Sequence, residues 1–154
     1  MAVNVNYSKL QEFVDKVERL IAKDQMDLFL ETCAKELAAR LLTKVIKRTP
    51  VGVYPKNSGK SGGTLRRGWT AEKTQDILTY VNSLNISHSG RNFIIEIINP
   101  VEYASYVEYG HRTRNHTGWV EGKFMLTISS QEVQEASPAI LEKKLKRKLG
   151  EIFG

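Results

Sequence analysis

The stretch KNSGKSGG, residues 56–63, is the part of the sequence that most resembles a chemical site. A Gly-Lys-Ser core inside a glycine-rich loop is how many nucleotide-hydrolysing enzymes hold a triphosphate. That motif needs a second glycine five residues earlier, and its loop joins a buried strand to a helix. Here Tyr54 lies five residues before Gly59, and the preceding residues have a helical pattern that stops at Pro50. The sequence therefore does not predict a phosphate-binding loop.

Other residue types that carry out chemistry are scattered along the chain. His111 and His116 are five residues apart with Glu108 nearby, but structural zinc sites usually show four ligands in recognisable pairs. No serine or threonine lies in a nucleophile elbow with histidine and acid partners in order. Cys33 falls in an apolar helical stripe, which favours a buried thiol over a reactive one. We therefore predict no catalytic, metal-binding or cofactor-binding residue, no small-molecule substrate and no enzymatic activity.

The first third of the chain has the pattern of two amphipathic helices. Ser8 and Gln11 resemble a capping box and predict a short helix over residues 9–21. Asp24 can begin a second, longer helix, in which apolar residues recur every three or four positions. Basic residues in its last turns and Pro50 end it.

The remaining two thirds indicate a mixture of strands and helices. Trp69 opens a β-like region, and a serine-glycine turn separates two apolar stretches as in a hairpin. The predicted elements are a polar loop over 51–63, strands over 77–88 and 93–98 joined by a turn at 89–92, a short helix over 101–109, a polar loop over 110–118, a helical segment from 124, and a final helix starting at Ser137-Pro138. We predict one α+β domain over residues 1–154, with N-terminal helices, a small antiparallel sheet, a C-terminal helix and a flexible glycine-rich loop over 51–67.

The net charge of +6 is unevenly distributed. Residues 49–70 contain four basic groups and no acid, and residues 143–148 contain five basic groups, whereas residues 71–110 have two basic against five acidic groups. Basic patches can meet phosphates or an acidic protein surface. For the C-terminal patch a solvated helix face is the commoner interpretation.

Features of cellular location are few. No apolar run approaches the ~20 residues that span a bilayer, so no membrane contact is predicted. The first residues lack the basic start and apolar core of a secretion signal. A single cysteine excludes an internal disulfide, and synthesis in the cytoplasm is the default expectation.

Four stretches in a fixed order carry a family resemblance. They are TPVG at 49–52, GGTLRRGW at 62–69, EYASYVEYGHRT at 102–113 and GWVEGKFML at 118–126. Together they resemble the bacteriophage neck and tail-completion family, which includes tail-completion protein Z of lambda-like phages and relatives in prophages and tail-like bacteriocins. Gly62, Gly68 and His111 depart from the threonine, serine and threonine that are usual at those positions of the family.

The resemblance implies a non-enzymatic structural subunit that needs no cofactor. Such a subunit would form a ring with copies of itself at the head-proximal end of the tail, a hexamer being favoured over a dodecamer. It would join the tail terminator to the head-completion or connector proteins. The implied location is the neck of the virion, after assembly in the cytoplasm of the bacterial host.

The suspected interface combines the basic loop with the tyrosine-rich signature. It comprises Lys56, Lys60, Arg66, Arg67, Trp69, Tyr103, Tyr106, Glu108 and Tyr109. Our hypothesis is that residues 51–67 dock on a neighbour, with the two arginines pairing to acids there. The alternative is a DNA-binding protein that contacts nucleic acid in the neck channel through the 51–69 loop and the basic C-terminal helix, because cations beside aromatic rings suit nucleic acid.

Overall fold

The computed structural model describes residues 8–17, 23–71 and 76–153. They form six helices and four short strands, and the strands pair into two separate two-stranded antiparallel sheets. In chain order the elements are α1 (Ser8–Val17), α2 (Lys23–Arg48), α3 (Thr64–Gly68), α4 (Ile77–Ser83), β1 (Ile86–Ser89), β2 (Asn92–Ile95), α5 (Ala104–Tyr109), β3 (Gly110–Arg112), β4 (Trp119–Glu121) and α6 (Met125–Phe153). The α+β class is confirmed. Residues 18–21 of the predicted first helix lie outside the described residues.

The two long helices α2 and α6 form the centre of the fold. Arg48, the last residue of α2, donates from Nη1 to Ser129 Oγ near the start of α6 at 2.8 Å. Glu36, in the middle of α2, pairs with Lys144 in the last third of α6. The helices are therefore antiparallel. Their facing apolar residues form the core, including Leu37, Leu41, Leu42, Val45, Val133, Leu141 and Leu145.

The region predicted as a strand over 77–88 instead begins with helix α4. The Asp76 carboxylate accepts a hydrogen bond from the Thr79 backbone N–H, which caps the helix N-terminus. That local cap and the burial of neighbouring Tyr80 and Val81 outweigh the approximate alternation of apolar residues. The predicted hairpin turn is confirmed, because β1 and β2 pair on either side of it with Ser89 opposite Asn92.

The final helix begins much earlier than Ser137-Pro138. Helix α6 is continuous from Met125, with Pro138 in its interior. Proline has no N–H to donate to the carbonyl four residues earlier, here that of Gln134. The Ser137 hydroxyl donates to this Gln134 oxygen at 2.8 Å. Ser137 and Pro138, which the sequence predicted as a helix start, are thus interior residues of α6. The Ser137 hydrogen bond replaces the one that proline cannot donate, and the helix continues.

Two clusters of ion pairs hold α6 against α2. Glu132 pairs with Lys44 and Arg48 of α2, and Glu36 pairs with Arg40 and Lys144. The Lys44 hydrogen bond, followed by that of Arg48, lowers the pKa of Glu132 below its ordinary value. The Lys144 hydrogen bond lowers the pKa of Glu36 in the same direction, against a smaller opposing effect of burial.

These lowered pKa values predict an acid dependence of stability. A carboxylate whose pKa falls on folding stabilises the fold above its unfolded pKa of about 4.5 and loses that contribution as the pH falls further. The double variant Glu36→Gln, Glu132→Gln should therefore be less stable than wild type at pH 7, with the gap closing towards pH 3. Urea unfolding across this pH range measures the gap. Glu135→Gln, at an exposed position on α6, is the control, and a gap that stays constant with pH would contradict the prediction.

Candidate functional site

The site is built around the end of α2, where Thr49 links the last turn of α2 to α3 and the residue that follows it. Its side chain is fully buried, donates to Val45 O at 2.6 Å and accepts from Trp69 Nε1 at 2.8 Å. The Thr49 carbonyl accepts from Nε and Nη2 of Arg66 at 3.2 and 2.7 Å. Helix α3 is thereby fixed against the last turn of α2. These contacts anchor the two ends of the glycine-rich loop.

The glycine-rich loop leaves and returns at one point. A Cβ on Gly62 would lie 2.0 Å from the Gly52 carbonyl oxygen. The backbone segments at the two ends of the loop are therefore in contact at a distance that only glycine permits. Arg67 Nη1 donates to Gly62 O at 3.2 Å and braces the same base. We call residues 53–61 the loop tip.

All residues of the loop tip are exposed. Val53 is 95% exposed, although it is aliphatic, and Tyr54 beside it is about half exposed. Lys56 and Lys60 are exposed as well, so the loop tip presents one aliphatic side chain together with two basic ones. The tip is thus a projection with an apolar residue near its start.

Glu108 lies against the first turn of α6 and is fully buried. Its carboxylate accepts from the backbone N–H groups of Leu126 and Thr127, each at 2.9 Å, and from the Thr127 hydroxyl at 2.6 Å. These amides belong to the first turn of α6, where N–H groups lack partners within the helix. Glu108 of α5 therefore caps α6 from a distant position in the sequence.

The segment predicted as a polar loop over 110–118 contains a strand and the turn of a β-hairpin. Strands β3 and β4 pair with Gly110 opposite Glu121 and Arg112 opposite Trp119. A Cβ on Gly110 would lie 2.5 Å from Val120 O, and its φ is +85°, so glycine fits this close approach. The strands are only three residues long, which is why their alternation is invisible in the sequence.

Exposed aromatic side chains lie where α5, the β3–β4 hairpin and the start of α6 meet. The rings of Tyr109 and Phe124 meet edge-to-face with centroids 6.4 Å apart, and the Trp119 ring lies against Gly110. Tyr103, which immediately precedes α5, and Tyr106 within it are also exposed, as is Ile128 in the first turn of α6. We call this set the aromatic face: Tyr103, Tyr106, Tyr109, Trp119, Phe124 and Ile128. Each of its members is 38–59% exposed.

The structure divides the suspected interface residues into two groups. Lys56, Lys60, Arg67 and the three tyrosines are exposed at the same end of the helix pair, because α2 ends where α6 begins. Trp69 and Glu108 are buried with partners inside the chain, and Arg66 is half-buried on Thr49 O. These three side chains position the loop and helices through contacts within the chain, and of the three only Arg66 keeps some exposed surface.

Several exposed residues of this end were not named as interface residues from the sequence, although Val53 lies within the predicted docking segment 51–67. They are Val53, Trp119, Phe124 and Ile128. Trp119 and Phe124 lie in the quoted stretch GWVEGKFML, so their aromatic type was a usable signal. Their exposure depends on the hairpin that the sequence did not predict.

The basic C-terminal run lies away from the end of the helix pair that carries the glycine-rich loop. Lys144 pairs with Glu36 in the middle of α2, and Lys146 pairs with Glu142 on its own helix. Ser129 bonds to Arg48 at the end of α2 from which the glycine-rich loop leaves. At 1.5 Å per residue, Lys143 is ~20 Å along α6 from Ser129. The loop and the C-terminal run therefore do not form one continuous basic surface.

The remaining chemical candidates have structural surroundings. Burial raises the pKa of the Cys33 thiol to about 11, so the thiol is protonated at neutral pH. Within the described ranges, no group of three or more His, Cys, Asp or Glu side chains is placed to hold a metal ion. No described helix has both the length and the apolar character needed to cross a membrane.

A protruding loop beside an exposed aromatic face is typical of proteins that bind other protein surfaces. Consistent with this, residues 8–110 match the family model described as "Bacteriophage HK97-gp10, putative tail-component". The match covers well over half of the chain, and the chain belongs to this family of phage tail components. It includes the loop and the three tyrosines and stops at Gly110, before Trp119 and Phe124. No curated protein and no solved structure matches the chain.

Proposed function

We propose that the protein is a non-enzymatic subunit of the neck of a phage or phage-tail-like particle. It forms a ring at the head-proximal end of the tail, with a hexamer favoured over a dodecamer, and joins the tail terminator to the head-completion proteins. Family membership supports a structural role in the tail. The observation that carries the finer proposal is the single end of the molecule on which the loop tip and the aromatic face are both exposed.

A ring needs two different surfaces on each subunit, because a head-to-tail contact pairs unlike patches. The loop tip and the aromatic face are unlike in shape, composition and charge. Both lack a covering element among the described residues. They are therefore suited to contact neighbours in a particle, with buried Trp69 and Glu108 holding their bases in place.

The proposal predicts that a change confined to the loop tip blocks particle completion. The triple variant Val53→Asp, Lys56→Glu, Lys60→Glu should fold normally, since all three side chains are exposed. Particles made with it should accumulate as separate heads and tails in electron micrographs, with infectivity or killing activity lowered by at least tenfold. Lys143→Glu with Arg147→Glu, at the far end of α6, is the matched charge-reversal control. Normal joining by the loop variant would refute the proposal.

DNA binding is the second candidate, favoured by the charge at the same end. Arg112, Arg114 and Lys123 of the hairpin region are exposed and add to the loop lysines. A role in the neck channel would make affinity for duplex DNA fall steeply with salt, because phosphate contacts release counterions. Salt-dependent binding that the control variant retains and the loop variant loses would support it. Absence of such binding would leave the protein–protein role.

A further inference from the structure

We propose that the loop tip of one copy docks on the aromatic face of a neighbouring copy. This inference rests on the proposed ring and names the contact that would hold it together. It assigns the apolar contact to Val53 and Tyr54 on one side and to Tyr106, Tyr109 and Phe124 on the other. It assigns the surrounding polar contacts to Lys56 and Lys60.

The aromatic face is large enough to be an interface. An aromatic side chain can bury ~150–250 Å², and the five rings are on average about half exposed, which leaves on the order of 500 Å². That value is at the upper part of the range for the largest apolar patch of a monomer. It is more than half of the ~800 Å² that each partner contributes to a standard interface.

The loop tip presents an exposed apolar side chain that suits such a face. Val53 is 95% exposed and so makes no contact with the aromatic face of its own chain. The base of the loop is closed by the Gly52–Gly62 contact and by Arg67, and the adjoining segment is held by Arg66. A tip presented on a closed base loses less conformational freedom on docking than an open chain would.

Charge is compatible with this pairing. Lysine ammonium groups bind the faces of tyrosine and tryptophan rings, and the aromatic face presents four such side chains. Two exposed acids flank it, Glu102 beside Tyr103 and Glu121 at the base of the hairpin, with Lys123 as a nearby cation. The apolar contact therefore contributes most, and the lysines add a smaller attraction.

Both surfaces belong to the same chain, which is why the occupant is a second copy. A contact between unlike patches on identical subunits is heterologous and generates a ring or a filament. It also makes a specific prediction for mixtures. A subunit with a damaged tip keeps an intact face, and a subunit with a damaged face keeps an intact tip, so the two together can form one junction.

The experiment uses two purified full-length variants and sedimentation velocity. The tip variant is Val53→Asp with Tyr54→Ser, and the face variant is Tyr106→Ser with Tyr109→Ser, all at exposed positions. Wild type should form higher oligomers, each variant alone should be monomeric, and an equimolar mixture should form a one-to-one dimer and nothing larger. Leu28→Asp, at a 64% exposed position in the first half of α2, is the control and should assemble as wild type.

Two results would overturn the inference. The first is a mixture that stays monomeric, whether or not the wild type assembles. The second is a variant that alone retains wild-type assembly. If the mixture stays monomeric while the face variant loses binding to purified tails, the face belongs to another tail protein. The head–tail joining assay decides the proposed function separately, so a failure of this contact and a failure of the neck role are distinguishable.

Discussion

Replacing Glu108 with alanine should lower the free energy of unfolding by about 2–4 kcal/mol, because the first turn of α6 loses its cap. A buried donor left without a partner costs ~1–3 kcal/mol, and loss of a helix cap typically costs ~1 kcal/mol. Here two backbone N–H groups and the Thr127 hydroxyl lose one carboxylate. The helix N-terminus also loses a negative charge, which its dipole favours. Urea unfolding measures the effect.

A conservative variant and an exposed control sharpen this test. Glu108→Gln keeps the shape and one acceptor oxygen, but turns an N–H₂ group toward N–H donors, so an intermediate loss is expected. Glu102→Ala, an exposed acid six residues earlier, should stay within about 0.5 kcal/mol of wild type. Hydrogen exchange at the Leu126 and Thr127 amides should accelerate in both Glu108 variants. An unchanged stability and unchanged exchange in Glu108→Ala would refute the capping role.

Elements whose signal is local could be predicted from the sequence. The stripe of α2 repeats over seven turns, so its register is unambiguous, and Pro50 follows its end by two residues. The serine-glycine turn between β1 and β2 and the short helix α5 are also encoded within a few residues. Such patterns need no knowledge of what packs against them.

Other elements depend on contacts between distant residues. Helix α6 continues through Pro138 because Ser137 satisfies the Gln134 carbonyl, and it starts at Met125 because Glu108 caps it from α5. Neither partner can be identified by spacing in the sequence. The β3–β4 hairpin is likewise fixed by the close backbone contact of Gly110 with Val120.

The suspected interface residues show the same difference between features set by local sequence and features set by contacts with distant residues. The tyrosines at 103, 106 and 109 recur every three residues on a short helix, and their shared exposure follows from that spacing. Trp69 and Glu108 have residue types that are common at interfaces or on surfaces, yet both are buried. Their burial follows from Thr49 and from the start of α6, which lie 20 and 18 residues away in the chain.

Replacing Trp69 with alanine should cost about 3–5 kcal/mol, a large part of the ~5–15 kcal/mol that stabilises a typical domain. Trp69 is fully buried, and its Nε1 donates to Thr49 Oγ1 at the junction of α2 and α3. Its loss would leave a cavity at this junction as well as an unsatisfied hydroxyl acceptor. Trp69→Phe, which keeps most of the ring volume, should cost about 1–3 kcal/mol.

Trp119 provides the matched control, because it is the second tryptophan and is 55% exposed. Trp119→Phe should leave the unfolding free energy within about 0.5 kcal/mol of wild type and leave buried Trp69 as the sole tryptophan fluorophore. Thr49→Val combined with Trp69→Phe should cost less than the sum of the single variants, because both remove the same hydrogen bond. Additive losses would show that the bond contributes nothing to stability. In that case packing of the Trp69 ring alone, without the Thr49 bond, would hold α3 and the base of the loop against α2.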